Sequence, residues 1–309
     1  MGKIKTFFHL LKTRRDLIPP RLFIYFARSK ASHLIPDKTY LKWQYRANLG
    51  KKLNLKNPQT FNEKLQWLKL HNKQPLFTQM VDKYAVRDYV AAKIGEERLV
   101  PLLGVWDRAE DIDFDALPDK FVLKCNHDSG SVIICKDKST FDREAAVKKL
   151  RKKLKRDMFY WSREWPYKNI SKKIICEEFM QDQNFDVLNV FKVMNFSNGN
   201  QIIQVIQDDK TEKESIDYFD PKWNRLEMKQ GFPNSEVPLP KPKTLDTMLS
   251  LAKELSEGFP FLRTDFYEIN GEVYFSEFTF FSDAGMCKFE PKDWDMKLGS
   301  WMELPSKTV

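Results

Sequence analysis

Up to residue 95 apolar residues recur at three- and four-residue intervals, whereas from residue 121 short apolar runs separated by polar turns take over. The first pattern predicts helices and the second strands. Residues 1–75 read as helical. In "NPQTFNEKLQWLKLH", Thr60 stands three residues before Glu63 as a capping box, and Leu65, Leu68 and Leu70 follow. "MVDKYAVRDYVAAKIG" predicts one further helix over 80–95, with Gly95 placed to end it. "RLVPLLGVWD" is extended, and "FVLKCNHDSGSVIICKDKS", residues 121–139, reads as a strand, a polar loop and a second strand. A basic helix over 141–157 carries the apolar stripe Val147, Leu150 and Leu154. "KKIICEEFM" is an apolar strand ending in two carboxylates. "DVLNVFKVMNF" and "NQIIQVIQDD" form an antiparallel pair turned at Ser197-Asn198-Gly199. The Pro-rich "FPNSEVPLPKPK" is a surface connection, followed by a helix in "TLDTMLSLAKELSEGF". Finally "FLRTDFYEING" and "EVYFSEFTFF" make a hairpin turned at Asn270-Gly271. Strands joined mostly by hairpins and mixed with helices predict an α+β fold with antiparallel sheets, not a doubly wound parallel one.

Composition adds little to that picture and charge adds more. The chain has 309 residues, of which 42% are hydrophobic, enough for two or three cooperating subdomains with real cores. Lys+Arg 52 against Asp+Glu 43 gives a net charge of +9, which favours anionic partners. Cys125, Cys135, Cys176 and Cys287 show no CxxC spacing and read as buried thiols in a reducing compartment. The four histidines are dispersed, without the HExxH of a zinc site. The basic, apolar segment at residues 1–30 contains no uncharged run near the ~18–20 residues of a spanning helix. It reads as an amphipathic helix, packed on the body or touching an anionic inner leaflet, and the protein reads as cytoplasmic.

Two stretches carry candidate chemistry. Asn, Asp, Ser and Gly in the loop after Lys124 can turn several backbone N–H groups toward one anion, with the ammonium adding charge. Neither GxxxxGK[ST] nor GxGxxG is present, so an ordinary hairpin remains an open reading. In the last hairpin Asp265 precedes the Asn270-Gly271 turn by five residues and Glu277 follows it by six, which makes them near neighbours across two strands. One residue of slip would change the face each occupies. Paired inward, they would suit Mg2+, and Arg263 would project on the same face toward a phosphate. A surface hairpin with rim ion pairs is the alternative, although Glu277 lies between Phe275 and Phe278.

The order of the landmarks "NPQTFNEKLQWLKL", "DKYAVRDYV", "IGEERLVPLLGVWD", "LPDKFVLKCNHDSGS", "EWPYKNISKKIICEEFM" and "RTDFYEINGEVYFSEFTFFSDAG" resembles the TupA-like ATP-grasp proteins over residues 38–305. The resemblance implies an ATP-grasp fold, two α+β subdomains clasping ATP, with a helical N-terminal region. The implied divisions are 1–75, a linking segment 76–120, and the ATP-grasp domain 121–305, split into a lid subdomain 121–180 and a large subdomain 181–305. By the same resemblance, Lys83 and Lys124 contact ATP, and the loop with Asn126, Ser129, Gly130 and Ser131 closes over its phosphates. Glu177, Glu178, Phe179 and Met180 form the adenine-reading hinge, and Lys210 stands where relatives place an arginine. Asp265 and Glu277 hold the metal, Arg263 neutralises phosphoryl charge, and Lys124 serves both ATP and catalysis. Thr279 stands where an amide ligand is usual, and a hydroxyl is a poorer Mg2+ ligand. The ribose acid aligns near Asn184 or Asp186.

The implied activity is an ATP-dependent, ADP-forming carboxylate–amine ligase that modifies a capsular or other surface polysaccharide or its precursor. ATP and Mg2+ are the cofactors, and an acidic glycan or an amino-acid acceptor is the partner. A glycan kinase of the same fold and a glycosyltransferase of polysaccharide biosynthesis are the alternatives. No nucleic-acid partner is expected, because the basic helix alone would leave Asp265 and Glu277 unexplained.

Overall fold

The computed structural model describes residues 23, 26, 27, 29–183, 188–207 and 212–306. The expected helix at the start of the chain, Asn184, Asp186 and Lys210 lie outside the described residues. Helix α1 (Asp37–Leu49) ends at Gly50, whose φ of 70° is the left-handed conformation that glycine adopts without a steric cost. Tyr40, Leu41 and Tyr45 of α1 meet Phe23 and Phe26 in a small separate core. Helix α2 (Phe61–His71) carries the expected capping box, Thr60 accepting from the Glu63 N–H while Glu63 accepts from the Thr60 N–H.

The single helix expected over 80–95 is two, α3 (Pro75–Val81) and α4 (Val86–Ile94). Asp82 breaks it. Its backbone is extended, and its Oδ1 accepts from the Tyr84 and Ala85 N–H groups at 2.8 and 3.2 Å. An aspartate that bonds the backbone two and three residues on offers the chain an alternative to continued helix, and apolar periodicity does not register it. Gly95 does close α4, with φ 95°.

Strands β1 (Leu102–Trp106), β2 (Phe121–Cys125), β3 (Ile133–Cys135) and β4 (Ile174–Glu178) form an antiparallel sheet in the order β1-β4-β2-β3. One face packs on α5 (Arg143–Leu154), where Leu150, Val147 and Leu154 meet Phe121, Leu123, Cys125 and Cys176. The other face carries Val122, Lys124, Ile175 and Glu177. The short helix α6 (Phe159–Ser162) follows, and Arg163 after it returns to the first core, stacking 4.2 Å over Tyr40.

A second antiparallel sheet contains β5 (Val190–Phe196), β6 (Gln201–Gln207), β7 (Ser215–Phe219), β9 (Phe261–Ile269) and β10 (Glu272–Thr279), in the order β10-β9-β5-β6-β7. A two-stranded ribbon joins β8 (Lys229–Gln230) to β11 (Phe289–Glu290). Helix α7 (Leu245–Leu255) belongs to the same core through Leu245, Met248, Ala252 and Leu255, spaced three and four apart. Asn270 and Gly271, at φ 53° and 83°, make the tight β9–β10 turn. The α+β, antiparallel expectation is therefore met.

Helix α8 (Asp293–Ser300) crosses the start of α2 at Gly299. A Cβ there would overlap the Gln59 carbonyl and lie 2.8 Å from the Phe61 nitrogen. Backbone cannot swing aside as a side chain can, so Gly299→Ala is expected to cost about 1–3 kcal/mol in urea unfolding. An unchanged midpoint would contradict this close approach. Among the described residues no helix is long and apolar enough to cross a membrane.

Candidate active site

The site begins with one extra residue. From the β9–β10 turn the ladder runs regularly to Phe275 opposite Phe266, then shifts so that Glu277, not Ser276, faces Asp265. An unshifted ladder would set Glu277 opposite Thr264, on the other side of the sheet. The bulge at Ser276 therefore turns Glu277 to the face that Arg263 and Asp265 already share by alternation.

On that face Asp265 is 1% exposed and receives three donors. Arg263 Nε and Nη2 lie at 2.7 and 2.9 Å, in a two-pronged pair, and Lys192 Nζ of β5 lies at 2.6 Å. Glu277 meets Lys83 Nζ at 3.2 Å and Arg263 Nη2 at 4.0 Å. Burial pushes the Glu277 carboxyl up, but Lys83, Lys192 and Arg263 outweigh it and hold the group at about 2. Arg263, despite burial that lowers it, is raised above its ordinary value by Asp265 and Glu277.

The sign of the pH dependence follows. Because Glu277 sits below its ordinary 4.5 when folded, its contribution to stability is complete above that value and lost as pH falls toward 2. The stability difference between the native chain and Glu277→Gln is therefore expected to shrink between about pH 5 and about pH 2. A difference that stays constant over that range in denaturant titrations would count against the three-cation setting.

The first sheet contributes Lys124, whose Nζ is 2.5 Å from Glu177 Oε2. Burial lowers its pKa, but Glu177, Tyr267 and Glu277 raise it further, so the ammonium is kept. Lys83 is placed by the break at Asp82: its N–H donates to the Asn126 carbonyl at 3.0 Å and its Nζ to the Asp128 carbonyl at 3.0 Å. One ammonium thus touches both the β2–β3 loop and Glu277.

In that loop the Asn126 side chain ties the scaffold, donating to Asp82 Oδ1 and the Ser171 carbonyl and accepting from the Lys173 N–H. The Ser131 hydroxyl accepts from the Cys125 N–H, closing the loop on itself. Ser129 and Gly130 are exposed, with Gly130 at φ 80° and its carbonyl held by Lys153 at 2.6 Å. At the expected hinge, Glu177 turns its carboxylate to Lys124, the Glu178 N–H donates to the Pro101 carbonyl, and Phe179 and Met180 follow half-buried where the chain leaves β4. Thr279 lies on β10 opposite Arg263.

Several neighbours of the cluster were not assigned a role from sequence. Lys192 is one, although a lysine inside the apolar run "NVFKVMNF" was a signal. Tyr167 is raised well above its ordinary pKa by burial, with Glu164, Glu277 and Asp265 adding to it. Glu164 is raised by burial too, opposed by Lys69. No local pattern distinguishes these from ordinary packing residues. A cavity of about 430 Å³, lined by Asp182, Phe191, Lys241 and Glu268 among others, lies elsewhere, since Phe191 and Glu268 alternate to the opposite face from Lys192 and Asp265.

Two adjacent carboxylates among cations suit a hard divalent ion that takes its remaining ligands from phosphate and water. Among the described residues no group of three or more His, Cys, Asp or Glu side chains forms a cage of its own. The donor set therefore fits Mg2+ held together with a polyphosphate.

A sequence model described as TupA-like ATPgrasp matches residues 63–303. No curated protein matches the chain in sequence. Among solved structures, D-alanine–D-alanine ligase from Bacillus anthracis complexed with ATP aligns at 14% identity and a TM-score of 0.36, over 70% of this chain and 56% of that one. L-amino acid ligase from Bacillus licheniformis aligns at 15% identity and 0.41, over 72% and 49%. D-alanine–D-alanine ligase from Helicobacter pylori aligns at 14% and 0.42, over 81% and 68%. The chain thus spans about half the length of the first two.

Proposed function

This chain belongs to the TupA-like ATP-grasp family, and from that premise we propose that it is an ATP-dependent carboxylate–amine ligase. The observation that carries the reading is the convergence of Lys83, Lys192 and Arg263 on the adjacent carboxylates Asp265 and Glu277, with Lys124 on the facing sheet. Such a set holds a polyphosphate and its counter-ion, and positions the phosphoryl group without a covalent intermediate on the protein.

In this reading Lys124 and Lys83 draw the ATP phosphates in, and the backbone after β4 receives the adenine. Mg2+, when bound on Asp265 and Glu277, neutralises charge on the terminal phosphates. A substrate carboxylate oxygen forms a bond to the terminal phosphorus while the bond to ADP breaks, leaving an acyl phosphate beside Arg263. An amine then displaces phosphate at the acyl carbon. The net charge of +9 and the family support an acidic acceptor, a cell-surface or capsular polysaccharide or its precursor, met in the cytoplasm or at the inner face of the membrane.

The test uses ATP, Mg2+ and hydroxylamine with glucuronate, galacturonate and the amino acids as carboxylates. Carboxylate-dependent ADP release with hydroxamate formation is expected. ADP release driven by neutral sugars without hydroxamate would replace the ligase by a kinase, and a chain that binds no nucleotide analogue would remove both.

A further inference from the structure

The net positive charge is not spread evenly along the chain. Residues 38–62 hold six basic side chains, Lys38, Lys42, Arg46, Lys51, Lys52 and Lys56, and no acidic one. The carboxylate just before this stretch, Asp37, is taken by Arg163, whose Nε lies 3.2 Å from its Oδ1. None of the six has a task in the phosphoryl transfer described above.

Three of them meet at one place. Lys38 and Lys42 of α1, Lys56 in the loop that follows and His71 at the end of α2 line a cavity of about 430 Å³. Leu53 and Leu55 supply the apolar part of its wall. Leu53 belongs to the small core with Tyr40 and Leu41, and Leu55 packs against that core and the main one. Among the described residues no carboxylate lines the cavity, and none pairs with Lys38, Lys42 or Lys56.

The wall is built before any ligand arrives. Lys38 and Lys42 stand four apart on one helix, which sets their Cβ atoms roughly 6 Å from each other on a shared face. The backbone of Lys56 is fixed by Asn54, whose Oδ1 accepts from the Lys56 and Asn57 N–H groups at 3.2 and 3.1 Å and whose Nδ2 donates to the Asn57 carbonyl at 2.8 Å. Trp67 packs on the His71 ring, with centroids 4.9 Å apart.

Ammonium groups gathered without a counter-charge repel one another, and a concave wall of low dielectric focuses their field on whatever enters. An anion relieves that repulsion. Because the cations come from separate segments, a ligand with more than one anionic group meets them together. The volume falls in the range of clefts that hold small ligands or a few units of a chain, whereas a membrane meets a broad surface. Carboxylates accept from the ammonium groups, and the leucines receive the C–H surface between them.

Helix α2 joins this cavity to the catalytic sheet. Lys69, two residues before His71, donates from Nζ to the Ala284 carbonyl at 2.8 Å, in the turn Ser282–Gly285 that follows β10, and to the Ser162 carbonyl at 2.9 Å. One helix thus carries a cavity wall and holds the end of the hairpin that bears Asp265 and Glu277.

We propose that the cavity is a second binding site, which takes an acidic saccharide through two or more of its carboxylates. It holds the acceptor chain by units other than the one that reacts, a role that rests on the ligase reading.

The test is calorimetric titration of the full chain with tri-galacturonate, a hyaluronan tetrasaccharide and neutral maltotriose, beside Lys38→Gln/Lys42→Gln and Lys56→Gln. At least one acidic oligosaccharide is expected to bind about tenfold or more tightly than maltotriose, and to weaken as salt rises from about 50 to about 200 mM. The double variant is expected to lose about tenfold or more of that affinity and Lys56→Gln a smaller part, while both bind a non-hydrolysable ATP analogue as the native chain does. No acidic oligosaccharide bound, acidic and neutral ones bound alike, or acidic binding that survives the double variant would each overturn the site. Sedimentation of the chain with phosphatidylglycerol vesicles when neither acidic oligosaccharide binds would assign the lysines to a membrane instead. Saccharide binding without carboxylate-dependent ADP release would overturn the ligase reading, and with it the acceptor role, while leaving the cavity as a saccharide site.

Discussion

Asp265→Asn is expected to destabilise the fold by about 3–5 kcal/mol and to abolish the Mg2+ dependence of nucleotide binding, the largest effect of any single change in the site. The isosteric amide keeps shape but removes the charge on which Arg263 and Lys192 both close. Two cations would remain in a buried setting with Glu277 as their nearest compensation, and Glu277 already faces Lys83. Leaving a buried charge uncompensated costs more than the intact pair contributes, so the loss should appear in denaturant unfolding as well as in binding. Calorimetric titration with a non-hydrolysable ATP analogue, with and without Mg2+, checks the second half. A variant of native stability that still binds the analogue more tightly with Mg2+ would remove Asp265 from the metal site.

Lys124→Met is expected to weaken analogue binding about 10- to 100-fold, the range of one or two charge-assisted hydrogen bonds. Methionine retains the apolar stem, so the sheet packing survives while the ammonium is lost. The Glu177 carboxylate, 2.5 Å from that ammonium in the native chain, would then face the phosphates alone. Adding Glu177→Gln separates two causes. If the lysine acts on phosphate directly, the double variant regains stability and stays weak in binding. If Lys124 merely neutralises Glu177, the double variant recovers affinity, and the phosphate role assigned to the lysine fails.

Much of this was legible in the chain, and what was not has a common reason. The capping box at Thr60 and Glu63, the Asn270-Gly271 turn and the β2–β3 hairpin depend on residues within a few positions of one another, so local patterns reveal them. The approach of Asp265 to Glu277 followed from counting outward from a tight turn. The break at Asp82 was hidden because a side chain bonding two and three residues on leaves the apolar period unchanged. Glu164 and Tyr167 were hidden because they reach the cluster from a part of the chain about a hundred residues before Arg263 and Glu277. The scaffold bonds of Asn126 were hidden for the same reason, since its three side-chain partners, Asp82, Ser171 and Lys173, lie more than forty residues away in the chain.

The extra residue at Ser276 bears on how such chains should be matched to one another. Because the bulge absorbs one position, the spacing from the turn to the second carboxylate is no guide to which way that carboxylate points. A relative without the bulge could set its acid opposite the same aspartate with one residue fewer. An alignment that forbids a gap between Phe275 and Glu277 would then pair that acid with a serine, and so count the metal strand as lost where it has only changed length.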